Sequence, residues 1–195
     1  MSSAARARPR QTILFTGHMV DTPDRATPRF PATRVDAAAQ RIGAALDEIA
    51  AGPDDLALTQ GAAGGDLLFA EACLARGVPL RLLLPLSERE FVDASLLPVV
   101  DGAAWHARYR AVVDRLDEPP SEAPSVLGPL APGDNAFVRA NLWLLERARA
   151  AAADSLVCIC LWDGGGGDGP GGTRHLVDAV RAAGGRVVRI DSRSL

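Results

Sequence analysis

A glycine-rich loop between an apolar run and a helical pattern constrains the fold of this chain more than any other feature. Residues 56–59 predict a short buried strand, and residues 67–76 predict the helix that follows it. The loop between them contains Gly61, Gly64 and Gly65. Glycines let backbone amides approach a ligand closely, and the N-terminus of a helix favours negative charge. The segment therefore predicts a strand–loop–helix unit whose natural ligand is a phosphate.

The spacing of this loop excludes two common nucleotide-binding motifs. Its glycines do not match G-x-G-x-x-G, and it lacks the lysine of a P-loop. Asp66 is the unusual residue, because a carboxylate at this position repels a phosphate. Asp66 therefore either caps the helix or accepts a hydrogen bond from a ribose hydroxyl.

Apolar runs alternate with helical patterns along most of the chain. The predicted strands are residues 12–16, 56–59, 80–84, 155–162 and 186–190, and the predicted helices are residues 33–51, 67–76, 87–96, 134–151 and 173–183. This alternation predicts an α/β protein with a parallel five-stranded sheet and helices on both faces. Ligands of such proteins bind at the carboxyl ends of the strands, where the strand order reverses.

The chain length of 195 residues suits one domain. Residues 12–195 are predicted to form it, with residues 1–11 as a flexible N-terminal arm. Residues 98–134 are predicted to be an insertion between the third and fourth strands. The insertion has one helical pattern at residues 102–116, followed by a proline-rich, acidic loop.

Composition excludes several classes of function. A net charge of −3 with no basic stretch beyond the N-terminal arm argues against nucleic acid as a partner. The start of the chain has no apolar core of a signal peptide, and no run reaches the length of a membrane span. Three cysteines suit buried core positions in a reducing cytoplasm, and the three histidines show no metal-ligand spacing. We therefore expect a cytoplasmic protein without a metal or a resident cofactor.

The second glycine-rich loop, residues 163–172, is the stronger phosphate candidate. Gly171, Gly172 and Thr173 open the last predicted helix, and its first turn holds no acidic residue. The alternative is an ordinary threonine N-cap after a glycine-rich loop.

Other candidate ligand-binding residues lie beside the ends of predicted strands. Gly17 and His18 end the first strand, and His18 either donates to a phosphate or ribose or is a hydrogen-bonded turn residue. Trp162 ends the fourth strand and either stacks on a purine or packs in the core.

The long loop after the first strand adds basic residues. Arg25, Arg29 and Arg34 either reach phosphates or remain on the surface.

Three segments together resemble the SLOG superfamily of Rossmann-like nucleotide-binding proteins. They are residues 15–19, Gly64-Gly65-Asp66 with Glu71, and residues 170–173. The resemblance covers residues 12–190 and is closest to SLOG sensor domains of bacterial conflict systems. It implies a Rossmann-like sandwich of strand order 3-2-1-4-5, a crevice between strands one and four, and a nucleotide-derived ligand such as an ADP-ribose derivative. It also implies pairing through helices, so we expect a homodimer that serves anti-phage or stress signalling.

One sequence difference from the catalytic members of this superfamily bears on whether the chain is an enzyme or a binding domain. The phosphoribohydrolases of this superfamily carry a run Pro-Gly-Gly-x-Gly-Thr-x-x-Glu with a catalytic Glu, whereas this chain has Leu176 three residues after Thr173. The departure favours a binding or sensing domain.

Two alternatives remain open at this point. The chain is an enzyme that cleaves or transfers an N-glycosidic bond with Glu71 or Asp66 as its carboxylate, as in nucleoside deoxyribosyltransferases. Glu71 is otherwise an ordinary solvated helix residue. The third class is an oligomerisation or adaptor domain whose glycine loops are empty.

Overall fold

The computed structural model describes residues 8–151, 153–166 and 170–195. Six strands form one sheet: β1 (Gln11–Gly17), β2 (Leu56–Thr59), β3 (Leu80–Leu84), β4 (Ser121–Glu122), β5 (Ser155–Leu161) and β6 (Arg186–Ile190). The α-helices are α1 (Val35–Glu48), α2 (Gly65–Ala75), α3 (Glu88–Ser95), α4 (Gly102–Val113), α5 (Ala123–Leu127), α6 (Ala136–Ala150) and α7 (Thr173–Ala182). Short 3-10 turns lie at Ala32–Arg34 and Ser192–Ser194.

The sheet has the order β4-β3-β2-β1-β5-β6, and every pair of neighbouring strands is parallel. The prediction of an α/β protein with a Rossmann-like parallel sheet is confirmed, and the five predicted strands have the expected relative order. The predicted number of strands is wrong. The proline-rich segment expected to be a loop contributes β4, whose Ser121 and Glu122 pair with Leu83 and Leu84 of β3.

Alternate side chains of β1 enter different core layers, which is why the run is continuously apolar. Ile13 and Phe15 pack with α1 and α2, while Leu14 packs on the opposite face with α6 and α7. The helices therefore cover both faces of the sheet in three layers.

Several predicted helix boundaries shift in the structure. The helix predicted from residue 134 begins at Ala136, and Asn135 caps it, since its Oδ1 accepts from the amides of Phe137 at 2.9 Å and Val138 at 3.0 Å. The helix predicted over residues 102–116 ends at Val113.

The predicted N-terminal arm falls mostly on residues 1–7, which lie outside the described residues. Its last two residues belong to the fold. Arg10 donates to both carboxylate oxygens of Asp55 at 3.1 and 2.8 Å, and Gln11 is the buried first residue of β1.

The three cysteines, Cys73, Cys158 and Cys160, are buried and free of disulfides, which confirms their prediction as core residues. Across the described ranges, no helix combines the length and apolar character needed to cross a membrane.

Candidate functional site

A cavity of about 460 Å³ opens at the carboxyl ends of β1 and β5. The strand order reverses between these two neighbours, because the chain continues from β1 to β2 on one side and reaches β5 on the other. The wall comes from residues 15–20 at the end of β1, the loop after β2, the start of α6, and the loop between β5 and α7. A cavity of this size suits a small molecule, for which pockets measure roughly 300–1,000 Å³.

Gly171, Gly172 and Thr173 line this cavity where α7 begins. Gly172 is the N-cap residue, with φ −71° and ψ −178°, and it has no side chain to cap the helix. The first turn of α7 contains no acidic residue. The start of α7 thus presents the positive end of a helix to the cavity without a competing carboxylate.

Gly171 is required by packing against α6. Its φ of +86° favours glycine, and a Cβ there would lie 2.7 Å from the amide nitrogen of Val138 and 2.8 Å from the carbonyl carbon of Phe137. The loop before α7 therefore crosses the backbone of α6 in direct contact.

Asn141 of α6, 2 % exposed, ties this loop to β2. Its Nδ2 donates to the carbonyl oxygen of Gly171 at 2.7 Å, and its Oδ1 accepts from Nε2 of Gln60 at 3.0 Å. Gln60 and Asn141 both line the cavity.

Asp66 reaches back to the glycine loop that precedes α2. Its Oδ2 accepts from the amides of Gly61 at 3.1 Å and Ala62 at 3.3 Å, which belong to the loop before the helix. The prediction that Asp66 caps α2 is wrong, because Gly64 is the N-cap residue and no side chain caps this helix. Burial raises the pKa of Asp66 to about 6. Asp66 also lines the cavity, and its predicted contact with a ribose stays a prediction.

Two further amides of this segment also donate to protein acceptors. The amide of Ala63 donates to the carbonyl of Ser95 at 2.9 Å, and that of Gly65 donates to the carbonyl of His18 at 3.2 Å. The loop after β2 is thus internally hydrogen-bonded and supplies a wall of the cavity rather than an anion cradle.

Gly64 and Gly65 lie outside the cavity lining. A Cβ on Gly64 would meet the amide nitrogen of Val20 at 2.7 Å, and a Cβ on Gly65 would meet the ring of Phe15 at 3.0 Å. Both glycines therefore permit close packing of the β2 loop against β1.

Gly17 and His18 line the cavity at the end of β1. The amide of Asp163 donates to Nε2 of His18 at 3.1 Å, and Oδ1 of Asp163 lies 3.3 Å from the same nitrogen. Burial lowers the pKa of His18. Because Nε2 accepts from an amide, a neutral ring carries its proton on Nδ1. His18 thus links the loops after β1 and β5.

Trp162 lines the cavity but is 7 % exposed. Its Nε1 donates to the carbonyl of Gly165 at 3.0 Å, and the guanidinium carbons of Arg174 and Arg189 lie 5.6 and 5.5 Å from the ring centroid. Cation–π packing accounts for much of this ring, and little of its surface is left for a purine.

Two of the three arginines of the long loop, Arg25 and Arg29, line the cavity, whereas Arg34 donates to the carbonyl of Ser192 at 2.8 Å. Asp21 organises this loop, since its carboxylate accepts from the amides of Arg29 and Phe30, each at 3.0 Å. The loop therefore places two cationic side chains on the wall of the cavity.

Glu71 lies on α2 outside the cavity lining and binds Arg108 through two hydrogen bonds of 2.7 and 2.5 Å. The structure does not bring it together with the predicted ligand-binding residues. Leu176, at the position where the phosphoribohydrolases carry their Glu, is fully buried in the core with Trp143 and Val180.

Sequence patterns missed several residues of the cavity wall, among them Gln60, Asn135, Phe137 and Asn141. Gln60 carried the clearest signal, because a polar residue directly after a buried strand lies at the ligand-binding edge of a parallel sheet. In the described ranges no group of three or more His, Cys, Asp or Glu side chains is placed to hold a metal ion.

The topology and the cavity together define a parallel α/β protein of Rossmann-like fold with a crevice at the carboxyl edge of its sheet. No protein-family model matches the chain, and no curated protein matches it. Among solved structures, the chain is similar to the X-ray structure of TM1055, a structural genomics target. The two share 17 % sequence identity with a TM-score of 0.45, and the match covers 91 % of this chain and 72 % of the other.

Proposed function

We propose that this chain binds a nucleotide-derived small molecule, of the ADP-ribose or mononucleotide kind, in the cavity between β1 and β5. The start of α7 carries the proposal, because it is a helix N-terminus on the cavity wall whose cap residue, Gly172, has no side chain. A phosphate is the natural ligand for such a helix start.

The other helix starts beside the cavity are already satisfied by the protein. Asn135 caps α6 with its side chain, and at the start of α2 the amides of Gly65 and Leu67 donate to the carbonyls of His18 and Ala62. An anionic ligand would therefore be directed to α7. Arg25, whose Nε lies 3.3 Å from Oδ1 of Asp21, and Arg29 also line the cavity and add positive charge to it.

We assign the chain to the SLOG superfamily on the sequence resemblance and on this placement of its glycine loops. A sensor of a nucleotide signal, working as a homodimer in bacterial defence or stress signalling, is the role that this assignment suggests. An oligomerisation or adaptor domain, whose glycine loops would bind no ligand, agrees less well with a cavity of about 460 Å³ that has a helix start on its wall.

A thermal-shift and calorimetry panel of nucleotides, cyclic nucleotides and ADP-ribose isomers tests the proposal. A ligand at ~100 times its dissociation constant stabilises the folded state by about 2.7 kcal/mol and raises the melting temperature accordingly. The proposal fails if no member of the panel changes the melting temperature.

The second candidate is an enzyme acting on an N-glycosidic bond, and the position of Asp66 favours it over a role for Glu71. Asp66 lines the cavity and has a pKa of about 6, near the working range of a general acid or base. Release of free base from AMP or CMP, abolished by Asp66→Asn, would establish this activity.

A further inference from the structure

The side chains of Gln60 and Asn141 form a hydrogen-bonded chain that begins at a backbone carbonyl and ends in the cavity. The carbonyl oxygen of Gly171 can only accept, so the Asn141 atom 2.7 Å away must be the nitrogen, Nδ2. This contact fixes which way the Asn141 amide faces, a choice that an amide in isolation leaves open.

The orientation of Asn141 then determines that of Gln60. With Nδ2 on Gly171, the Oδ1 of Asn141 faces Gln60 and can only accept. The Gln60 atom 3.0 Å away must therefore be Nε2. Nδ2 of Asn141 also lies 3.4 Å from Nδ1 of His175, and this contact is compatible with the same orientation.

The remaining polar atom of this chain is Oε1 of Gln60. Gln60 is part of the cavity lining, and within the described part of the chain no group donates a hydrogen bond to its Oε1. The NH2 group of Gln60 thus donates to Asn141 and holds the side chain in place. Oε1 remains as a neutral hydrogen-bond acceptor on the cavity wall.

We propose that Gln60 is a specificity-determining residue whose Oε1 accepts a hydrogen bond from a donor on the ligand, either a ribose hydroxyl or an exocyclic amino group of the base. This inference rests on the proposed function and adds the kind of ligand group, a hydrogen-bond donor, that Gln60 recognises. A ligand with an acceptor opposite Oε1 of Gln60 cannot form this hydrogen bond, because neither atom carries a proton. Such a ligand binds more weakly than one with a donor there.

Calorimetry with four probes separates the two sources of the donor. AMP and IMP differ at the exocyclic amino group, while AMP differs from 2′-deoxy-AMP and 3′-deoxy-AMP by one ribose hydroxyl each. We expect AMP to bind about threefold to tenfold more tightly than at least one of the other three, the effect of a single hydrogen bond. The probe that loses affinity identifies the donor.

Two substitutions test whether Gln60 causes the discrimination. Gln60→Met keeps the length of the side chain and removes the acceptor, whereas Gln60→Glu keeps an acceptor; both remove the N–H that Asn141 accepts. We expect Gln60→Met to bring the affinity ratio close to one and Gln60→Glu to retain it. Gln40, exposed on α1 and outside the cavity lining, supplies the control Gln40→Met, which should leave every ratio unchanged.

The outcomes separate this inference from the proposed function. If all four probes bind with one affinity, or if Gln60→Met retains the discrimination, the role of Gln60 is rejected while nucleotide binding stands. Loss of discrimination in both variants also rejects it, since the chain to Asn141 rather than the acceptor is then responsible. If neither these probes nor the wider nucleotide panel binds, the proposed function falls and the inference falls with it.

Discussion

Arg108 holds Glu71 in a two-point ion pair, with Nε 2.7 Å from Oε1 and Nη2 2.5 Å from Oε2. The pair joins α4 to α2 and is about one-third exposed on each side. This ion pair gives the Glu71 carboxylate a structural role that needs no ligand.

The first prediction concerns this pair. Glu71→Gln should cost at most about 1 kcal/mol of unfolding free energy, as is usual for a partly exposed ion pair. It should leave nucleotide affinity unchanged, because Glu71 lies outside the cavity lining. Urea unfolding and calorimetry measure the two quantities.

We also expect the wild-type protein to hydrolyse nucleoside monophosphates weakly or not at all, because the proposed resemblance to the phosphoribohydrolases aligns Leu176 with their catalytic Glu. Chromatographic detection of free base measures this. Steady base release from AMP that Glu71→Gln abolishes would contradict both expectations.

The second prediction separates two adjacent glycines. Gly172 has an ordinary φ of −71°, so Gly172→Val should stay folded by circular dichroism while its side chain obstructs an anion at α7. We expect the binding free energy to weaken by about 2 kcal/mol or more, the order of one charge-assisted hydrogen bond.

Gly171→Ala is the contrasting variant, because its φ of +86° and its contact with the α6 backbone should lower the unfolding free energy by about 2 kcal/mol. Thr173→Ala, at the same helix start, removes only a side-chain hydroxyl and should weaken the affinity less than Gly172→Val does. Normal nucleotide binding by Gly172→Val would place the anion elsewhere.

The third prediction concerns Gly61, where φ is +89°. Gly61→Ala should lose about 1 kcal/mol of stability through backbone strain and little affinity, because the Gly61 amide already donates to Asp66. A larger affinity loss here than in Gly172→Val would mean that the two glycine loops have exchanged roles.

The fourth prediction follows from the pKa of Asp66, which burial raises from 3.8 to about 6. Between pH 3.8 and about pH 6, Asp66 is protonated in the folded state and ionised in the unfolded state. The folded state is therefore most stable below about pH 4 with respect to Asp66, and this stability is lost as the pH rises through about 6. The change is about 3 kcal/mol.

Asp66→Asn isolates this effect. Its amide oxygen can still accept from Gly61 and Ala62, but it carries no charge to bury. Denaturant unfolding at pH 4.5 and 7.5 should show a wild-type protein that loses stability relative to Asp66→Asn as the pH rises. A constant difference between the two proteins would show that Asp66 does not titrate in this range.

The fifth prediction is a homodimer, measured as the mass by light scattering. On α6, Trp143 and Leu144 pack against the sheet, while Leu142 remains 50 % exposed. We expect Leu142→Glu to shift the protein toward monomer without lowering its melting temperature. A monomeric wild-type protein at working concentration would reject the prediction.

The strands β1, β2, β3 and β5 are mostly buried, and their apolar runs could be placed from the sequence. β6 is an edge strand with two exposed arginines, and its signal is the β-branched residues Val187, Val188 and Ile190. β4 could not be placed, because Ser121 and Glu122 carry no apolar signal and stand between prolines at residues 119–120 and Pro124. Its pairing with β3 depends on the tertiary structure rather than on local preference.

The candidate site likewise contains residues that local sequence patterns predict and residues that only the tertiary structure brings there. Glycine loops at strand ends predicted the neighbourhood of Gly17, Gly171 and Gly172, since loop chemistry is local. Asn141 stands in an otherwise helical, partly apolar pattern, and only the packing of α6 across the sheet brings it to Gly171.

The two ends of the sheet offer little backbone for another chain to pair with. At one end β4 is only two residues long and is flanked by prolines; at the other, β6 exposes Arg186 and Arg189. Short edge strands, prolines and charges are the features that prevent sheets from joining edge to edge. Two copies of this chain that associate would therefore meet through helical surfaces, and a continuous sheet running through both molecules is disfavoured.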